Sequence, residues 1–177
     1  MRLIVIIILL WMLNHAVSAE EQFALIKRIV DGDTVIIDTM YAMQNGVANI
    51  PESARLAHID APEKDQRFGG FATTMLSRKC QGGYAFVSYK GKGRFDRNLA
   101  VLTCGGNVNL WLVTIGAAHP YSGAPKEYFA AAIQAIKNKR GLWQDNLIIH
   151  PKEWRDAKKQ GRKPKALPRK SYLERYK

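Results

Sequence analysis

The sequence predicts an α+β fold, mainly β: a five-stranded antiparallel barrel carrying three helices. Three observations predict it. Short β-rich runs are punctuated by turn dipeptides, most clearly Asp31-Gly32 and Asn45-Gly46. The elements run in the order βββ-α-ββ-α-α, without the strand–helix alternation of a parallel sheet. The chain of 177 residues, 47% hydrophobic, is long enough for one cored domain and too short for two ordinary ones.

Residues 23–37 read FALIKRIVDGDTVII, two β-rich runs joined at Asp31-Gly32. The second run continues to about Ala42, and Asn45-Gly46 supplies the next turn. A third run, from about residue 48 to 59, stops where Pro62 ends sheet pairing. These three form a meander. Apolar spacing over residues 71–76 suits a short helix, closed by Gly82-Gly83. Residues 84–89 and 99–104 read as the fourth and fifth strands, around the polar connector KGKGRFDR.

Two helices follow. Val108, Trp111, Leu112 and Ile115 form an apolar stripe at helical spacing that Gly116 ends. Pro125 suits the first turn of the next helix, whose buried face is Phe129, Ala132, Ile133 and Ile136. Lys137, Lys139 and Arg140 complement its C-terminal dipole, and Trp143 is expected to dock back on the core. Five short antiparallel strands with an inserted helix match a barrel of the OB type better than a layered α/β fold.

Residues 1–19 read as a cleaved signal peptide: Arg2, an apolar run of 11 residues from Leu3 to Leu13, then Val17-Ser18-Ala19. A membrane span needs about 20 residues, so the mature chain is expected to lack one and to be secreted or periplasmic. Cys80 and Cys104 flank the base of the second hairpin and are a candidate disulfide, with two free thiols as the alternative. A bond would close about 23 intervening residues, worth about 3 kcal/mol in the chain-entropy model.

The net charge is +12, and it is concentrated at one end. From Pro151 onward eleven Lys and Arg stand against Glu153, Asp156 and Glu174, so this segment carries +8. The domain is therefore placed at residues 20–146 and a basic tail at 147–177. Pro151, Gly161, Pro164 and Pro168 amid those charges predict disorder. Such a tail favours a polyanion, either nucleic acid or an acidic envelope surface; a merely solvated tail is the plainer reading.

The hairpin register yields the first chemistry. Pairing around Asn45-Gly46 sets residues opposite when their numbers sum to about 91, so Asp33 and Asp60 become diagonal neighbours, roughly 7–8 Å apart at Cβ. Two carboxylates so placed repel unless a cation lies between them. Hard oxygen donors without a neighbouring histidine suit Ca²⁺ or Mg²⁺ rather than zinc. The alternative is a turn cap at Asp33 and a loop Asp at 60. Glu63, three residues on and across Pro62, can act as a general base. Arg55 and Arg97 can hold a phosphodiester and stabilise its transition state. The odd spacing of Arg55 and Asp60 requires a bend in the strand. His58, His119 and His150 have no metal-ligand spacing, and no Ser/His/Asp or Cys/His set is present.

Three stretches together resemble the successive motifs of staphylococcal-type (thermonuclease-like) nucleases. They are VDGDTV at 30–35, RLAHIDAPE at 55–63 and RFDRNLA at 94–100. The likeness spans about Lys27 to Trp143, including Val108-Asn109 and Gly141-Leu142-Trp143. The resemblance implies a barrel of the OB type with three helices, Ca²⁺ as cofactor, and hydrolysis of single-stranded or frayed DNA and RNA to 3′-phosphate ends. It implies Asp33, Asp60 and the Ala61 carbonyl as metal ligands, Glu63 as base, and Arg55 and Arg97 on the phosphate. Arg94 and Tyr121 would contact substrate. Ala61 stands where the family often has Thr, Phe95 replaces an aromatic hydroxyl, and Asp96 and Asn98 replace glycines. Asp96 would set a negative charge beside Arg97. The expected activity is that of a monomeric calcium-dependent phosphodiester hydrolase. The competing readings are a catalytically silent nucleic-acid-binding barrel and a basic envelope or conjugation-related surface protein that works through its tail.

Overall fold

The computed structural model describes residues 21–43 and 46–177. The signal peptide and Asn45 of the expected turn lie outside the described residues. Among the described residues no helix is long and apolar enough to cross a membrane.

Five strands close the barrel: β1 (Gln22–Ile29), β2 (Thr34–Met43), β3 (Gly46–Leu56), β5 (Tyr84–Lys92) and β6 (Asn98–Thr103). Their order is β1-β2-β3-β6-β5, with β5 returning to β1. All neighbours are antiparallel except β3 and β6, which run parallel. This is the barrel of the OB type that the turn chemistry predicts. Alternation along the strands sends Ala24, Ile26, Val35, Ile37, Ala54, Leu56, Val87, Ala100 and Leu102 inward, where all are buried. The β2–β3 register pairs Thr34 with Arg55 and Met43 with Gly46, so opposed numbers sum to 89 rather than the expected 91. The slip is even, so every side chain keeps its face.

The third run does not continue straight to Ile59. β3 ends at Leu56, the chain turns at Ala57 and His58, and a two-residue strand β4 (Ile59–Asp60) follows. It leaves the barrel to pair with β7 (His119–Pro120). This turn is the bend that the spacing of Arg55 and Asp60 demands.

Three helices lie where expected: α1 (Gly69–Cys80), α2 (Val108–Thr114) and α3 (Lys126–Lys137). The Asn107 side chain caps α2 by accepting from Leu110 N. Trp143 is fully buried beneath them. Cys80, ending α1, is bonded to Cys104, which follows β6.

The tail contradicts its expected disorder. Two further helices, α4 (Pro151–Lys159) and α5 (Arg169–Arg175), are joined through the short pair β8 (Leu147–Ile148) and β9 (Leu167–Pro168). Composition misleads because a few apolar residues anchor the segment. Pro151, Ala157, Tyr172 and Tyr176 are buried, and the two tyrosines pack with Trp143. Its cations also bind the protein itself: Lys158 pairs with Asp65, Arg162 with Glu153, and Arg169 donates to the carbonyl of Trp143. The domain thus carries five α-helices among the described residues rather than three.

Candidate active site

The site is built where β1 gives way to β2 and where β3 breaks into β4. Between β1 and β2, Asp33 N donates to Asp31 Oδ1 at 3.0 Å, an aspartate turn that fixes the loop. Gly32 is required for close approach: a Cβ there would stand 2.6 Å from that of Ala72 and 2.8 Å from that of Ala61. After β3, His58 takes a left-handed conformation at φ 70°. Asn109, fully buried, holds this turn: its Nδ2 donates to the carbonyls of Ala57 and Ala100, both at 2.9 Å. The loop after β4 folds back against the start of α1, where a Cβ on Gly69 would lie 1.8 Å from the Glu63 carbonyl oxygen.

These constraints bring Asp33, Arg55 and Asp60 together. Arg55 Nη1 donates to Asp33 Oδ1 and Nη2 to Asp60 Oδ1, each at 2.8 Å. Both carboxylates are buried, Asp60 completely. Asp33 Oδ2 accepts from Ala61 N at 2.8 Å. Burial pushes the Asp33 carboxyl up to about 7; Arg55 opposes the rise, and the negative charges of Asp31 and Asp60 add to it. One guanidinium does not neutralise this group of acids.

Glu63 joins through a residue of the basic tail. Arg155, on α4, grips both oxygens of Asp60 at 3.1 Å, from Nη1 and Nη2. The same Nη1 donates to Glu63 Oε1 at 2.7 Å. Burial works against the Arg155 charge, but Asp60 and Glu63 together outweigh it and raise the guanidinium further. The sequence does carry a signal for this helix: Pro151 at its first turn, with Trp154 and Ala157 three apart on one face.

Two histidines that have no metal-ligand spacing in the sequence also border the site. His119 is opposite Asp60 in the β4–β7 pair, buried, with Nδ1 2.7 Å from Tyr176 Oη. Its ring centre is 4.5 Å from that of His150, whose Nδ1 is 4.0 Å from Asp60 Oδ2. Burial holds both imidazoles below their usual range. His150 Nδ1 accepts from Lys152 N at 3.2 Å, as a neutral ring can.

Arg97 is not joined to the acids. Among the described residues it forms no ion pair, and its Nε is buried without a hydrogen-bond partner. It immediately precedes Asn98, which pairs with Ala54 beside Arg55 in the β3–β6 register, so it stands at the same end of the barrel. Phe95 and Asp96 have φ of 60° and 57°, a left-handed backbone that explains glycine as a natural choice at 96. Asp96 directs its carboxylate to Lys92 at 3.6 Å rather than to Arg97. Arg94 is exposed over the Phe95 ring, 5.2 Å from its centre. Tyr121 is exposed just past β7, its N donating to the His58 carbonyl.

Among the described residues no three His, Cys, Asp or Glu side chains form a ready chelate. The donors that do converge are two buried carboxylates, with the backbone of Ala61 beside them. Oxygen donors of this kind suit a hard cation, and the Glu63 carboxylate, a third exposed, is of the type that accepts a proton.

Residues 53–145 match the family described as staphylococcal nuclease homologue. The chain is similar to an uncharacterized endonuclease of Haemophilus influenzae, 34% identical over 156 residues, covering 86% of this chain and 84% of that protein. It is 31% identical to an uncharacterized endonuclease of Escherichia coli O157:H7, over 85% of this chain and 96% of that protein. A micrococcal nuclease of Shigella flexneri is 32% identical, over 76% and 80% respectively. The family match takes in Arg55, Asp60, Glu63 and Arg97; Asp33 and Arg155 lie outside it.

Proposed function

Because this chain belongs to the staphylococcal nuclease homologue family, we propose that it is a calcium-dependent nuclease hydrolysing phosphodiester bonds of DNA and RNA, with single-stranded or frayed strands preferred. The observation that carries this reading is the buried pairing of Asp33 and Asp60 across one arginine, Arg55.

The donor set fits a hard divalent cation: oxygen atoms only, on two buried carboxylates that Arg55 holds side by side. Asp33, Asp60 and the Ala61 carbonyl would hold the ion. When bound, it would stabilise charge on the phosphoryl oxygens and favour ionisation of a water. Glu63 takes the proton from the attacking water at Oε1. Arg55 and Arg97 donate to the non-bridging oxygens, whose charge grows in the transition state. The water oxygen bonds to phosphorus as the bond to the 5′ oxygen breaks and that oxygen takes a proton from bulk water, leaving a 3′-phosphate and a 5′-hydroxyl. Arg94 and Tyr121, both exposed, are available to the strand. The Cys80–Cys104 bond supports a place outside the cytoplasm, as does the leader read at residues 1–19.

Incubating mature protein with denatured DNA tests this reading. Cleavage should stop with EDTA, return with calcium and leave 3′-phosphate ends. Cleavage indifferent to chelation would contradict it.

A further inference from the structure

Asp60 already has its charge satisfied twice. Arg55 holds Oδ1, and Arg155 holds both oxygens, which uses three of the roughly four lone pairs a carboxylate offers. Calcium needs oxygen ligands at about 2.3–2.6 Å and cannot share them with a guanidinium lying across both atoms. We propose that Arg155 is an internal counter-cation that competes with the divalent ion for Asp60, so that metal loading requires its guanidinium to leave and frees Glu63 in the same movement. The inference rests on the calcium reading above.

The surrounding contacts separate the side chain from its helix. Helix α4 is fastened to the acidic loop without Arg155. Trp154 Nε1 donates to Asp65 Oδ1, Lys158 Nζ to Asp65 Oδ2, and Gln66 Nε2 to the Ile149 carbonyl. Pro151 and Ala157 are buried beneath it. The Arg155 side chain is a third exposed, so solvent is open to it when it swings away. Glu63, equally exposed, accepts from that same guanidinium and is not free to take a proton while it stays. Arg155 therefore sets metal affinity and the availability of the base; it is a positioning residue, not one that meets the reacting atoms.

Calcium titration calorimetry on the full mature chain tests this directly. Arg155→Met, which keeps the length and loses the charge, should bind calcium about tenfold or more tightly than the unaltered protein, the equivalent of one charge-assisted hydrogen bond. Arg155→Lys, which keeps the charge without the two-pronged grip, should fall between them. Without calcium the Met variant should melt lower, because the carboxylates lose a counter-ion, and calcium should raise its melting temperature by more than it raises that of the unaltered chain. A damaged fold would weaken metal binding, so a gain in affinity is not a structural side effect. Equal or weaker binding in both variants would overturn the role of Arg155 and leave the calcium site standing. No binding by any of the three proteins at millimolar calcium would overturn the calcium reading and this inference together.

Discussion

Arg55 and Asp60 stand five residues apart in the chain, yet Arg55 Nη2 reaches Asp60 Oδ1 at 2.8 Å. In a straight strand an odd spacing would set them on opposite faces. The left-handed turn at His58 removes that obstacle, and Asn109 pins it. The other arm of the same guanidinium holds Asp33.

Removing Arg55 therefore leaves two buried carboxylates facing each other. Arg55→Met should destabilise the metal-free protein by about 3–5 kcal/mol, the usual cost of breaking a buried ion pair from one side. Urea unfolding should show this, with much of the loss recovered when calcium is added. A variant as stable as the parent would mean that the pair carries little of the fold.

Glu63 is a third exposed and takes no part in the core. Glu63→Gln should fold and melt like the parent. Its turnover on denatured DNA should fall by roughly 10²–10⁴-fold, the range for loss of a general base. Near-normal single-turnover rates would remove Glu63 from the chemistry.

The Asp33 carboxyl, at about 7 in the fold against an ordinary 3.8, gives a signed pH dependence. Between those values the folded protein holds a proton that the unfolded chain has lost. Its contribution to stability is whole below about pH 4 and is lost as pH rises through 7. Relative to Asp33→Asn, the metal-free protein should lose on the order of a few kcal/mol across that window. Denaturant midpoints of the two proteins that track in parallel from pH 4 to 8 would contradict this.

The barrel was legible because its determinants are local. Turn dipeptides and alternating apolar residues around Ile26, Val35 and Leu102 define strands without reference to distant partners. Asp33, Arg55 and Asp60 were legible as a constellation through the three motifs in order; the register that set Asp33 beside Asp60 does not bring them together, because Asp60 lies past the end of β3, on β4, which pairs with β7. Arg155 was not. Its place depends on α4 docking about 90 residues downstream of Asp65, on a few contacts such as Trp154 with Asp65 that average composition hides. His119 and His150 escaped for the same reason: their nearness is a product of packing, not of spacing.

The tail's fold can be tested separately. Tyr172 is buried against Trp143 and His119. Tyr172→Ala should cost about 3–5 kcal/mol, as truncating a buried aromatic does. Thermal unfolding unchanged by the substitution would mean that α5 does not belong to the core.

The most direct test of the site is a crystal structure of the protein soaked in calcium. A single ion should lie about 2.3–2.6 Å from carboxylate oxygens of both Asp33 and Asp60, with the Arg155 guanidinium withdrawn from Asp60. Calcium bound elsewhere, with Arg55 and Arg155 still closed over those two carboxylates, would contradict it.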